Sequence, residues 1–269
     1  MGSHRNLGQR HVSILDDHDH VFGVKIRFSS EAATEQQVVA GVALQLFALG
    51  IPCIYYGTEQ SFAGPEESER KFLPSWKGGD HADRYLREAM FGPCHLRRTP
   101  SSELDPTLPG FGPFGTAGAH CFDPDFATYR RTAALGAVRK KFPVLRQGRQ
   151  YLRPSSVFGD PFTRRGPGEL ITWSRILSDE EALCVVNAHG TQLRGSDVLV
   201  DAGLNPSGSE LTVIANTAET ASGSAGGVAR PIGSRVPVKL GDGTAFVEIR
   251  NLPPSEVLVL VNHASEANS

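Results

Sequence analysis

The sequence GVALQLFALGIPCIYYGTEQSFAG at residues 41–64 decides the fold of the first half of the chain. Its first part carries apolar side chains at helical intervals, and Thr34 and Gln37 precede it with the spacing of a capping box. The Gly-Ile-Pro break at residues 50–52 ends the helical pattern, and the apolar run then continues to Tyr56. We therefore predict a helix that leads directly into a buried strand.

A shorter apolar run at residues 12–15 precedes this helix and ends in the polar cluster Asp-Asp-His-Asp-His at residues 16–20. Its length and β-branched content predict a short buried strand with the polar cluster at its end. A strand, a helix and a second strand with short connections predict a right-handed crossover between parallel strands. The two strands should therefore be neighbours in one sheet.

The second half of the chain changes from a helical pattern to a strand pattern. Residues 123–143 predict an amphipathic helix that begins at an Asp-Pro cap and ends at a proline. Beyond Arg149 the apolar period becomes two, which is typical of half-buried strands, so we expect an antiparallel β-sandwich. The predicted strands are residues 169–173, 182–187, 197–201, 211–215, 245–250 and 257–261.

The composition excludes several classes of partner. The 269 residues include 27 basic and 29 acidic side chains, which are interspersed along the chain, so no basic surface is available for nucleic acid. No apolar run approaches the roughly 20 residues that span a bilayer, and the first ten residues are polar, so we expect no membrane segment and a cytoplasmic location. The four cysteines lack CxxC spacing, which favours buried thiols over metal ligands.

The cluster at residues 16–20 is where chemistry is expected. Three carboxylates and two histidines this close together are costly to bury without a ligand or a counter-charge. His18 and His20 alternate onto one side of a strand and could bind a metal ion, whereas Asp17 and Asp19 could perform carboxylate chemistry. A solvated loop is the third possibility, and the cluster by itself leaves all three open.

Three segments of the chain resemble the α-amylase family of glycoside hydrolases. Ile-Leu-Asp-Asp-His-Asp at residues 14–19 resembles the family's fourth conserved region, usually apolar, apolar, Asp or Glu, Asn, His, Asp. Residues 41–64 are similar to the family's seventh helix, eighth strand and the loop beyond, and residues 129–145 look like its last barrel helix. The resemblance covers nearly the whole chain.

This resemblance implies an α/β fold, namely the remnant of a (β/α)8 TIM barrel with strands 7 and 8 and their helices, followed by an antiparallel β-sandwich. The barrel part would cover residues 1–148 and the β-sandwich C domain residues 149–269. The implied activity is that of a retaining α-glycosidase or transglycosidase on α-glucans or related oligosaccharides. Its active site would lie at the carboxyl ends of the strands, at residues 16–20 and 57–60.

The resemblance also implies roles for individual residues. Asp19 corresponds to the carboxylate that stabilises positive charge in the transition state, and His18 beside it to a residue that binds sugar hydroxyls. Asp17 replaces the usual Asn, so its extra charge calls for a nearby cation, for which Arg27 is the candidate. We expect Asp17 and Arg27 to complete the substrate-binding group. Glu59 is expected to hold the turn in which it lies.

The nucleophile and the acid/base of the family have no counterpart in these 269 residues. We therefore expect an incomplete catalytic site, no metal ion, no cofactor, and as a partner the missing N-terminal half of the barrel. Two alternatives stay open: a metal-dependent hydrolase that uses His18 and His20, and a non-catalytic sugar-binding module.

Overall fold

The structure of the chain is a computed structural model that describes residues 4–17, 27–32, 34–62, 124–164, 166, 169–219, 230–241 and 243–262. The helices are α1 (His4–Arg10), α2 (Phe28–Glu31), α3 (Glu35–Phe47), α4 (Ala127–Lys141) and α5 (Val144–Gln147). The strands are β1 (Val12–Ile14), β2 (Ile51–Cys53), β3 (Arg149–Leu152), β4 (Ser155–Ser156), β5 (Leu170–Leu177), β6 (Glu180–Asn187), β7 (Arg194–Leu199), β8 (Glu210–Asn216), β9 (Arg235–Gly241), β10 (Thr244–Leu252) and β11 (Val257–Val261).

The predicted strand, helix and strand of the first half are present, but the two strands are not buried as predicted, since the first and last residues of each are exposed. Strands β1 and β2 pair in a two-stranded sheet, as predicted. Helix α3 connects them, and its first turn is capped by Thr34, whose side-chain oxygen accepts a hydrogen bond of 3.4 Å from the Gln37 amide. The Gln45 side chain donates to the Ser13 carbonyl at 2.6 Å, which fixes the end of α3 to β1.

The prediction that the second strand continues to Tyr56 is wrong, because β2 ends at Cys53. The physical reason lies in the hydrogen bonding beyond it. The Tyr56 carbonyl accepts a hydrogen bond of 2.7 Å from the Arg27 side chain, and the Thr58 amide turns back to the Tyr55 carbonyl at 3.2 Å. These backbone groups therefore form a turn instead of a sheet ladder.

The second half forms one nine-stranded sheet with the order β3-β5-β6-β11-β8-β9-β10-β7-β4, in which all the pairs are antiparallel. All six predicted strands appear, as β5, β6, β7, β8, β10 and β11. The sequence did not predict β9, because Pro237 in its middle removes a ladder donor and argues against a strand.

The sheet folds over on itself around one apolar core. Strand β9 pairs with β8 on one side and with β10 on the other, so it joins the two halves of the sheet. Buried side chains from both halves belong to a single cluster. Burial of this cluster is the main stabilising contribution of the second half. The cluster includes Leu183, Val185, Leu211, Val213, Leu258 and Leu260 from one half and Val198, Val247 and Ile249 from the other.

The chain divides into two compact units, which do not coincide with the halves of the sequence. The first unit comprises Met1–Ser13, Val39–Pro52 and Arg131–Ser269, and it contains the nine-stranded sheet. The second unit comprises Ile14–Val38 and Cys53–Arg130, and its described part contains the end of β1 and the turn after β2. The predicted domain boundary between residues 148 and 149 stays a prediction.

Candidate functional site

A buried carboxylate, Asp16, lies two residues after β1 and organises the described part of the candidate site. The Arg27 side chain lies with its Nε atom 3.3 Å from Asp16 Oδ2, and both side chains are buried. The Phe28 amide donates to Asp16 Oδ1 at 3.1 Å, and the Thr58 hydroxyl donates to Asp16 Oδ2 at 3.1 Å. Asp16 thus joins the end of β1, the start of α2 and the turn after β2.

Arg27 extends this network to the backbone beyond β2. Its Nη2 atom donates to the Tyr56 carbonyl at 2.7 Å, and its Nε atom donates to the Phe62 carbonyl at 3.3 Å. The guanidinium carbon lies 4.7 Å from the centre of the Tyr55 ring, within range of a cation–π interaction. A planar, forked cation suits these divergent acceptors better than a lysine would.

Gly57 is required at the turn after β2. Its φ of 84° lies in the left-handed region. A Cβ atom added there would lie 2.3 Å from Phe62 Cδ2 and 2.8 Å from Arg27 Nη2. Any larger residue would therefore displace the arginine that neutralises Asp16.

Burial raises the pKa of Asp16 above its ordinary value, and this effect outweighs the lowering by Arg27 and by the hydrogen bonds from Phe28 and Thr58. The neighbouring charge of Asp17 raises the pKa of Asp16 further. Since Asp16 is 2% exposed, its carboxylate is occupied within the protein and positions the strand end rather than facing a substrate.

The predicted site residues fall in different places relative to this network. Asp17 is half-buried next to Asp16. Arg27, the predicted cation for the charge of Asp17, forms an ion pair with Asp16. Glu59 is half-buried in the 3-10 turn Thr58–Gln60 that follows β2. His18 and Asp19 lie outside the described residues, so their roles stay predictions.

The sequence did not predict that Asp16 is part of the candidate site. The signal that could have found it is its position, because the first carboxylate after an apolar strand is the one that the sheet is most able to bury. Within the described part of the chain, no group of three or more His, Cys, Asp or Glu side chains is arranged to hold a metal ion. The predicted metal ligands His18 and His20 lie outside that part.

The sequence matches no protein-family model and no curated protein. Among solved structures, the chain is similar to a γ-CGTase from alkalophilic Bacillus clarkii, with 19% identity and a TM-score of 0.53 over 96% of this chain and 27% of that one. It is also similar to an α-amylase from Geobacillus thermoleovorans complexed with acarbose, with 16% identity and a TM-score of 0.50 over 94% of this chain and 39% of that one.

At these identities the likeness shows the fold, and at that level it confirms the predicted resemblance to the C-terminal part of α-amylase-family enzymes. The chain spans roughly a quarter to two-fifths of the length of the two structures. These neighbours give no support to the metal-dependent alternative. Among the described helices, none is long and apolar enough to cross a membrane.

Proposed function

We propose that the chain is the C-terminal part of a retaining α-glycosidase or transglycosidase that acts on α-glucans or related oligosaccharides. In this proposal β1 and β2 are the seventh and eighth strands of a (β/α)8 barrel remnant that covers residues 1–148. The nine-stranded sheet is the β-sandwich C domain at residues 149–269. Two solved neighbours, a CGTase and an α-amylase with bound acarbose, share the fold and support this assignment.

The observation that carries the proposal is the Asp16 network. It ties the end of β1 to the turn after β2, with contacts of 3.1 Å to Phe28 and Thr58 and of 3.3 Å to Arg27. In a barrel enzyme the carboxyl ends of the strands carry the catalytic groups, and these groups need a rigid support. A buried carboxylate that fixes both strand ends supplies such a support for the residues that follow it.

The proposed chemistry assigns Asp19 to the stabilisation of the developing oxocarbenium charge, and His18 and Asp17 to hydrogen bonds with sugar hydroxyls. Arg27 keeps the local charge balanced through Asp16. The nucleophile and the acid/base would come from residues beyond this chain. Those groups must lie about 5 Å apart in a retaining enzyme, on strands that complete the barrel.

An exposed apolar face on β1 and β2 supports the proposal that more barrel strands belong next to them. Val12 and Ile14 of β1 are 48% and 57% exposed, and Ile51 of β2 is 43% exposed. Aliphatic residues on a short central strand are ordinarily covered on both faces. We infer that the N-terminal half of the barrel covers this face.

The test is a substitution in the longest reading frame that contains this chain, assayed with maltooligosaccharides. We expect Asp19→Asn to lower kcat by about 100-fold or more with the fold intact, because a transition-state charge partner is lost. Asp179→Asn makes the same chemical change at an exposed turn between β5 and β6 and should leave kcat within about twofold. An unchanged kcat in Asp19→Asn would remove Asp19 from the site.

A further inference from the structure

A cleft with arginine side chains lies at the start of the nine-stranded sheet, and the proposed catalytic function does not use it. Its volume is about 370 Å³, which falls in the range of small-molecule sites, roughly 300–1,000 Å³. All of its lining belongs to the first compact unit. The lining residues are Gly8 and Gln9 of α1, Leu49 after α3, Arg146 and Gln147 of α5, Gly148, Arg149 of β3 and Leu177 of β5.

The charged side chains that line the cleft are both cationic. Arg146 and Arg149 are exposed, and within the described residues neither side chain takes part in a hydrogen bond or an ion pair. The nearest acidic residues along β5 and β6, Asp179 and Glu180, follow Leu177 in the turn and do not line the cleft. Two guanidinium groups therefore offer their donors to whatever enters.

Two further arginines lie behind this lining and bond to the same segment of backbone. Arg139 and Arg175 each donate to the Leu145 carbonyl at 2.9 Å, and Arg175 also donates to the Gly148 carbonyl at 2.8 Å. Burial lowers the pKa of Arg139, and the charge of Arg146 lowers it further. Like charges this close repel one another, so an anion in the cleft would relieve the repulsion.

The rest of the lining suits an anion that carries an organic group. Gln9 and Gln147 are exposed, and among the described residues no hydrogen bond engages their side-chain amides, so both can donate to a ligand. Leu49 and Leu177 are half-buried and supply an apolar contact. A guanidinium fork matches the paired oxygens of a phosphate group, which it can bind with two parallel hydrogen bonds.

We propose that this cleft binds a phosphate monoester of a small molecule, with Arg146 and Arg149 on the phosphate oxygens. The glutamine amides add neutral donors, and the two leucines contact the organic group. Free inorganic phosphate presents the same oxygens but gains nothing from the leucines, so it should bind more weakly. The site is independent of the proposed catalytic function, since no residue assigned to catalysis lines it.

The test is calorimetric titration of the full chain at low salt with glucose 1-phosphate, inorganic phosphate and glucose as separate probes. We expect saturable binding of glucose 1-phosphate, weaker binding of inorganic phosphate, and no binding of glucose at this cleft. Arg146→Gln and Arg149→Gln should each weaken the binding of glucose 1-phosphate about tenfold, because each removes a charge-assisted hydrogen bond. Arg235→Gln makes the same change at an exposed arginine of β9 and should leave the affinity unchanged.

Thermal unfolding separates lost binding from lost folding. Without ligand, the two cleft variants should melt with the unsubstituted chain, because their side chains are exposed and unpaired within the described residues. Glucose 1-phosphate should raise the Tm of the unsubstituted chain, and it should not raise the Tm of the double variant Arg146→Gln/Arg149→Gln.

Absence of binding by both phosphate probes, equal affinity in the cleft variants and the unsubstituted chain, or an equal loss in Arg235→Gln would each overturn the site. Tighter binding of inorganic phosphate than of the ester, lost in both cleft variants, would overturn the contact with an organic group and assign the cleft to free phosphate. None of these results bears on Asp19, whose role is measured from kcat.

Discussion

At the scale of single residues, Asp16 and Arg27 form an ion pair in which removal of either side chain destabilises the fold. Both side chains are buried, and their charged atoms lie 3.3 Å apart. Loss of one partner leaves the other charge buried and uncompensated, whereas loss of both leaves an apolar site. The pair therefore matters more for the position of the strand end than for net stability.

The first prediction concerns Arg27→Met, which should lower the free energy of unfolding by about 3–5 kcal/mol in urea denaturation. The double variant Asp16→Leu/Arg27→Met is the control and should recover at least half of that loss. A single variant that costs less than about 1 kcal/mol would mean that Asp16 is neutralised in another way.

Glu256 is a second buried carboxylate and makes stability depend on pH. It accepts hydrogen bonds of 2.8 Å from Arg131 and one from the Thr217 hydroxyl. Burial nevertheless raises the pKa of Glu256, because desolvation exceeds the lowering by Arg131. The folded state then binds the proton more readily than the unfolded state does. The contribution of Glu256 to stability therefore falls as pH rises from its unfolded pKa through its raised folded pKa.

The second prediction follows from this sign. Glu256→Gln cannot ionise, so its free energy of unfolding relative to the unsubstituted chain should rise as the pH increases above about 4, the ordinary pKa of a glutamate. Urea denaturation of both proteins at several pH values measures the difference. A difference that is constant over this range, or that changes in the opposite direction, would contradict the dominance of desolvation.

The sequence predicted a cation near residues 16–20 and indicated Arg27 as the candidate, but it assigned Arg27 to the charges of Asp17 and Asp19. The structure places Arg27 on Asp16. Chain order alone could not decide this, because the contact depends on where residues 56–62 turn back, and Gly57 and the Phe62 carbonyl determine that turn.

At the scale of elements, Arg175 of β5 joins two helix ends to the sheet. Its guanidinium group is buried and donates to five backbone carbonyls, at Phe47, Ala48, Leu145, Arg146 and Gly148. These carbonyls belong to the last residue of α3, to the single turn α5 and to the residues that follow them, where helices leave acceptors unsatisfied and favour a positive charge. Burial lowers the pKa of Arg175 to about 10, so it remains charged at neutral pH.

The third prediction is that Arg175→Met costs about 3 kcal/mol or more in the free energy of unfolding, because several buried carbonyls lose their donor. Arg235→Met is the matched control: its side chain is 72% exposed and pairs only with the exposed Glu210 at 3.3 Å among the ion pairs of the described residues. That variant should change stability by less than about 0.5 kcal/mol. Equal effects of the two substitutions would show that Arg175 does not stabilise the ends of α3 and α5.

Hydrophobic period predicted the elements well where side chains alternate cleanly between core and solvent. Strand β10 follows the predicted alternation, because Ala245, Val247 and Ile249 are buried between more exposed neighbours. The hydrophobic period did not predict the short elements, such as β4 with two residues and α2 with four. Their formation depends on partners distant in sequence, such as the pairing of Ser155 with Val198, which no local pattern encodes.

At the scale of the whole molecule, the fold agrees with the resemblance found in the sequence. The catalytic roles of individual residues are part of our proposal. The match to a CGTase and an α-amylase covers nearly all of this chain but 27% and 39% of theirs. We propose that cleavage of a glycosidic bond, which needs two carboxylates across a sugar ring, depends on groups outside these 269 residues. In our account Asp19 contributes charge stabilisation, and bond cleavage requires the remainder of the barrel.

The most direct test of this account is the release of reducing sugar from maltooligosaccharides by the 269-residue chain alone. We predict no release above the blank, because loss of a nucleophile costs many orders of magnitude in rate. Turnover at an ordinary enzymatic rate that is lost in both Asp19→Asn and Glu59→Gln would contradict the account, and it would show that these two carboxylates form a complete catalytic pair.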